Sequence, residues 1–200
     1  MSTKNTDVRQ HILDTAKSII LSKGFSAVGL NEILCAAEVP KGSFYHYFKS
    51  KEFFGEALLE SYFSEYLLHL DTLLAQEGST AAERLIAYWT QWLETQASEG
   101  QEGKCLAVKL GGEVCDLSEA MRASLQRGTN QIIERLADCI RDGMADGSLS
   151  NEIDADHIGL ILYEMWLGAT LLTKIRRDRN PLESAMRATL KLLHLSDQTH

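Results

Sequence analysis

The chain has 200 residues, 44% of them hydrophobic and 24% charged, and a net charge of −8 at neutral pH. That length and apolar content suffice for a real core, and the acidic balance excludes a protein that packages polyanions through bulk positive charge. Only Pro40 and Pro181 could break long helices, and few segments alternate apolar and polar residues as strands do, so an all-α fold is expected.

No apolar run reaches the roughly 18–20 residues that a membrane span needs. The longest, residues 158–175, is interrupted by Glu164 and Lys174. Met1–Gln10 is polar and unlike a signal peptide, so a cytoplasmic location with no membrane partner is expected. There the four cysteines, Cys35, Cys105, Cys115 and Cys139, are thiols at rest. They form no CxxC pair and the histidines no ligand spacing, so neither a metal nor a cofactor is expected. The charge is uneven: residues 1–51 hold seven Lys/Arg against four acids, a net +3, which leaves −11 for the remainder. A basic head on an acidic body points to a polyanion at one end of the chain.

Ile12, Leu13, Ala16, Ile19 and Ile20 recur at helical spacing and predict an amphipathic helix over residues 7–22. Lys23-Gly24 closes it, with Gly24 as a left-handed cap. A second short helix is expected at 30–37, with Leu30, Ile33 and Leu34 inward, then a turn at Glu38-Val39-Pro40. A third runs from Lys41 to Phe48, with Phe44, Tyr47 and Phe48 as its buried stripe. Two short helices, a tight turn and an earlier helix to pack against make a helix-turn-helix. The open face of the third helix carries Lys41, Gly42, Ser43, Tyr45, His46 and Lys49. Its free N–H groups suit phosphates or a groove floor. Gly42 permits close backbone approach, and Lys49 and Lys51 can neutralise phosphate charge.

The stretch Val39-Pro40-Lys41-Gly42-Ser43-Phe44-Tyr45-His46-Tyr47-Phe48-Lys49-Ser50-Lys51 resembles the recognition-helix signature of TetR-family repressors, and the spacing from Gly24-Phe25 through Ile33 to Val39 resembles that family's head. The resemblance implies double-stranded operator DNA as partner, with Asn31, Lys41, Ser43, Tyr45 and His46 facing the groove and Lys49 and Lys51 on phosphates. One departure is visible: Val28-Gly29 stands where the family usually caps the second helix with a phosphate-binding threonine.

Ser50 caps a long fourth helix, about 51–75, striped with Leu58, Leu59, Tyr62, Tyr66, Leu70 and Leu73. It joins head to body. Thr80-Ala81-Ala82-Glu83 is a capping box opening a helix to about Ala97, and a loop follows at 98–103. A short helix runs from Lys104 to about Val114. Asp116-Leu117-Ser118-Glu119 reads as a second capping box, for a helix to about Met144. Asp154 starts the most apolar helix, to about Arg177, and Asn180-Pro181 starts the last, carrying Leu182, Met186, Leu190 and Leu193. These two are too apolar to leave one side in water. By the family resemblance they form a four-helix bundle with a second copy, and a dimer suits a palindromic operator. Residues 1–51 are thus expected to be the DNA-binding head, and 52–200 a helical domain for effector sensing and dimerisation.

Cys105 begins a short helix next to Lys104, with Lys109 one turn on and Lys174 able to approach from the apolar helix; cations and a helix N-terminus favour thiolate. Cys115 stands between acids, Cys139 among core residues, and Cys35 on the second helix beside the groove-facing side chains. Gly103-Lys104-Cys105-Leu106-Ala107-Val108-Lys109-Leu110 with Glu113-Val114-Cys115-Asp116-Leu117-Ser118 resembles an electrophile-responsive TetR subgroup that controls detoxifying reductases. That resemblance implies release from the operator when an electrophile or oxidant modifies a cysteine, with Cys105, Lys109, Lys174 and Cys115 as sensor residues. The rival inducer is a non-covalent apolar small molecule in a pocket lined by Trp89, Trp92, Tyr163 and Trp166. Readings from other classes find little support. No GxSxG, HExxH, P-loop or GxGxxG motif suggests an enzyme, and the acidic body argues against an architectural DNA binder.

Overall fold

A computed structural model describes residues 2–98 and 104–196, with side chains from residue 8 onward. The described residues form nine helices and no strand: α1 (Ser2–Lys23), α2 (Leu30–Ala36), α3 (Lys41–Tyr47), α4 (Lys51–Leu74), α5 (Ala81–Ala97), α6 (Leu106–Val114), α7 (Glu119–Asp146), α8 (Ala155–Arg176) and α9 (Asn180–Leu192). The all-α expectation holds. The chain separates into two compact units. One contains residues 1–65 and 104–128, the other 66–103 and 129–200. The first takes in more than a head cut after residue 51, because α6 and the start of α7 pack within it.

In the first unit, α1 buries Ile12, Leu13, Ala16 and Ile20, and α2 buries Ile33 and Leu34. Phe44 and Phe48 meet Phe54 of α4 in a three-ring cluster with centroids 5.1–5.5 Å apart. Polar ties fix the helices to one another. Gln10 donates to Ser61 at 2.9 Å, Lys17 pairs with Glu65 at 2.6 Å, and the His11 ring lies 3.0 Å from the Ala37 carbonyl. Helix α7 crosses α4 at Gly128, where a Cβ would clash with the buried Phe63 ring. Gly128→Ala therefore costs about 1–3 kcal/mol of overpacking, more than the roughly 1 kcal/mol that alanine returns in helix propensity. Thermal denaturation should show a lowered Tm, and an unchanged or raised Tm would mean that the crossing is looser than described.

The caps follow the sequence unevenly. Thr80 and Glu83 form the expected capping box, and Ser50 Oγ accepts from the Phe53 N–H at 3.2 Å. The second box is corrected: α7 starts at Glu119, and Ser118 Oγ, not Asp116, accepts from the Met121 N–H while donating to Glu52 at 2.6 Å. Likewise Arg179, not Asn180, stands at the cap position of α9, with Pro181 in its first turn. Tyr47, expected in the buried stripe of α3, is only half-buried. Of the loop at 98–103, all but Ser98 lies outside the described residues.

In the second unit, Asp146 and Ser148 accept from the N–H groups of Ala81 and Ala82 and so cap α5 from the end of α7. Trp92 Nε1 donates to Thr170 and Trp166 Nε1 to Thr189, both at 2.9 Å, which satisfies two indoles inside an apolar core. Helix α8 is, by length and composition, apolar enough to cross a membrane, against the sequence expectation; 39% of its apolar window is buried here. A core helix passes the same test. Its exposed Leu160, Leu171, Leu172 and Ile175 fall at helical spacing and make one apolar stripe.

Candidate nucleic-acid interface and cysteine site

Helix α2 begins at Gly29, whose backbone is extended and provides no side-chain cap. The chain leaves α2 with Ala37 N–H bonded to the Ile33 carbonyl and Glu38 in the left-handed region at φ 55°. Pro40 then caps α3, its carbonyl accepting from the Ser43 N–H at 2.9 Å. Because Phe44 and Phe48 are fully buried, the opposite side of α3 must face outward. Tyr45 is 53% exposed, Lys41, Gly42, His46 and Lys49 are exposed, and Ser43 is half-buried. Tyr45 is edge-on to Phe44 at 5.5 Å, a contact that stiffens the exposed ring. Asn31 and Cys35 are exposed on α2.

Lys51 behaves differently from the sequence expectation. Its Nζ donates to the Val28 carbonyl at 2.7 Å and sits 4.9 Å from the Phe25 ring centre. It is half-buried and ties α4 to the α1–α2 loop, so its placement is structural. Lys49 lies 5.8 Å from the exposed Phe53 ring and keeps its ammonium at the surface.

Cys105 is the N-cap residue of α6 and only 7% exposed. Burial pushes its thiol above the ordinary value, although the backbone N–H groups of Val108 and Ala107 and the Tyr62 hydroxyl pull the other way. The expectation that the helix N-terminus and nearby lysines favour thiolate is therefore corrected: desolvation outweighs them and favours the protonated thiol. Tyr62 also accepts from the Leu106 N–H at 3.2 Å. Lys109 is directed elsewhere, its Nζ donating to the Ser22 carbonyl at 3.1 Å. Lys174 is exposed on α8, in the second unit. Cys115 is half-buried at the C-cap of α6. Cys139 is buried with its thiol pushed up to about 11, chiefly by desolvation.

Sequence reasoning gave Glu113 no role of its own beyond flanking Cys115. Its carboxylate accepts from the Phe25 N–H at 3.1 Å and the Ser26 N–H at 2.5 Å. Burial of the carboxylate opposes ionisation, but the Ser26 side chain, the two N–H groups and the Lys109 ammonium together hold its pKa below the ordinary carboxylate value. The only sequence signal was a lone acid in an apolar, glycine-containing helix.

The four aromatic residues named for a pocket do come together, but on each other. Trp89 and Trp166 stack at 4.8 Å with planes 13° apart, and Trp92 meets Tyr163 edge-on at 6.1 Å. All four are buried.

Comparison with known proteins decides the family. Residues 12–58 match the model for bacterial regulatory proteins of the tetR family, and residues 81–189 the model for tetracyclin repressor-like C-terminal domains. The chain is 42% identical to the HTH-type transcriptional repressor NemR of Escherichia coli K12, over 90% of each protein. The chain belongs to the TetR family of transcriptional regulators. It is also 33% identical to the repressor DhaR of a Mycobacterium species, over 94% of this chain and 93% of that one. The E. coli NemR crystal structure in reduced form superposes with a TM-score of 0.89 at 39% identity, covering 96% of this chain and 99% of that one. This TetR-family chain is accordingly a DNA-binding transcriptional repressor of the NemR type, not an enzyme.

Proposed function

We propose that this repressor holds a palindromic operator as a homodimer and releases it when an electrophile or oxidant modifies Cys105. In this reading residues 1–51 bind DNA and 52–200 sense and dimerise, in the bacterial cytoplasm. The observation that carries the DNA side is the outward polar face of α3, stiffened from behind by Phe44, Phe48 and Phe54. Lys41, Gly42, Ser43, Tyr45 and His46, with Asn31, meet the groove, and Lys49 holds phosphate. The withdrawal of Lys51 and the bare Gly29 cap leave fewer phosphate contacts near α2.

Burial supports Cys105 as the sensor. An adduct on the exposed Cys35 would rest in solvent, whereas an adduct on Cys105 has no room and must displace α6 or Tyr62. With an α,β-unsaturated carbonyl, the sulfur adds to the β-carbon, the carbon–carbon π bond breaks, and the thiol proton ends on the α-carbon. With a hydroperoxide, the sulfur gains one oxygen to give sulfenic acid, and the peroxide is reduced to an alcohol or water. A relative of known reduced form is consistent with such chemistry. Cys115, at the other end of α6, and Lys109 and Lys174 are auxiliary in this scheme.

The apolar stripe of α8, with Ile175 68% exposed, supports dimerisation through α8 and α9. The double variant Leu171→Asp, Ile175→Asp should sediment as a monomer and protect no operator, while the wild-type dimer footprints a short two-fold symmetric site. A variant that stays dimeric, or uniform protection by the wild type, would reject this assignment.

One observation favours a non-covalent apolar inducer. Trp89 Nε1 is buried with no hydrogen-bond acceptor among the described residues, an arrangement that costs about 1–3 kcal/mol. An apolar ligand bearing a carbonyl would satisfy it, but the stacked rings must first part.

A further inference from the structure

We infer that Glu113 is the latch through which a change in α6 reaches the DNA-binding head, by its grip on the α1–α2 loop. Three independent contacts converge there. The two oxygens of one carboxylate accept separately from consecutive backbone N–H groups, Phe25 on Oε2 and Ser26 on Oε1. One turn earlier on α6, Lys109 holds the Ser22 carbonyl at the end of α1. Between these points Gly24 takes φ +93°, and a Cβ there would stand 3.1 Å from Glu113 Oε2, so the loop is shaped to admit the carboxylate. Residues 22–26 are thus held from one side by a single face of α6.

That loop leads directly into α2. Phe25 is buried, and the Val28 carbonyl receives Lys51. Cys105 lies at the opposite end of α6, about 12 Å away at 1.5 Å per residue. One continuous nine-residue helix joins the two points, so a displacement at its N-cap has a direct path to Glu113. The latch rests on the Cys105 reading only for its input; the grip itself does not depend on which signal moves α6.

The test follows operator affinity by fluorescence anisotropy, with N-ethylmaleimide as the thiol probe and intact mass to count adducts. Amide exchange at Phe25 and Ser26 is followed by NMR. Glu113→Ala should take up the same adduct as wild type yet change its operator Kd less than about twofold, where wild type changes about tenfold or more, a range usual for coupled sites. Before alkylation Glu113→Ala should already bind several-fold more weakly, because the loop is no longer held. Glu113→Gln keeps one acceptor of two and should fall between them; it also serves if the alanine variant folds poorly. The Phe25 and Ser26 amides should exchange faster in Glu113→Ala and in alkylated wild type. The latch is overturned if Glu113→Ala binds and releases like wild type, or if those amides keep their exchange rates in the variant. Should Cys105→Ser release normally while Glu113→Ala does not, the latch stands and the cysteine reading fails.

Discussion

Tyr45→Ala should weaken sequence-specific operator binding about a hundredfold while leaving the fold intact. A lost base contact costs about 1–3 kcal/mol, and the proposed homodimer would carry each substitution twice, so the operator Kd should rise by about two orders of magnitude. The side chain is 53% exposed and contributes one edge-on contact with Phe44, so the Tm should move little. Lys49→Ala gives the contrast. It removes a charge without base information, so it should weaken specific and non-specific DNA alike and make the slope of log K against log salt shallower by about one per phosphate contact. Anisotropy titrations at three salt concentrations separate the two behaviours. If Tyr45→Ala binds the operator like wild type, α3 is not the reading helix and its exposed aromatic face needs another explanation.

The sequence made the helices legible because their apolar spacing is local, and it made α3 legible because Phe44 and Phe48 fix which side is left for DNA. What it could not show depends on partners distant in the chain. Asp116 and Ser118 are equally good caps by type, and the choice falls to Ser118 because Glu52, 66 residues earlier, takes its hydroxyl proton. Lys51, read as a phosphate ligand, also donates to the Val28 carbonyl, a contact that depends on folding α1 and α2 back and that the sequence does not show. Lys109 shares a helix face with Cys105, yet its long side chain reaches the end of α1. For Cys105 itself the sequence revealed the helix start and the neighbouring cations but not the burial, and burial reverses the sign of the thiol's shift. The family resemblance implied the groove-facing residues and a cysteine sensor; Glu113 stands within the 113–118 stretch quoted for it, but only the fold shows its carboxylate on the Phe25 and Ser26 N–H groups.

Cys105→Ser should bind the operator as wild type does and fail to release it on treatment with a maleimide or a hydroperoxide. Serine is nearly isosteric and keeps a polar group among the Val108 and Ala107 N–H groups and the Tyr62 hydroxyl, so the resting state should survive. Cys35→Ser and Cys115→Ser should release normally. Wild-type alkylation carries a second signature. Because burial raises the thiol's pKa, the thiolate fraction climbs with pH through and beyond the ordinary thiol range, so the alkylation rate should show no plateau near neutrality. A plateau near pH 7 would indicate a depressed pKa and overturn the burial argument. The same shift has a consequence for stability: the folded state holds its proton more tightly than the unfolded chain, so this group's contribution is full below the ordinary thiol pKa and fades as pH rises through the folded value. In the proposed scheme the reactive thiolate is reached by opening of the α6 N-terminus, and an adduct formed then would not fit when the helix repacks. In that scheme burial would make modification slow to form but hard to accommodate, and so would turn a small covalent change into a displacement of α6.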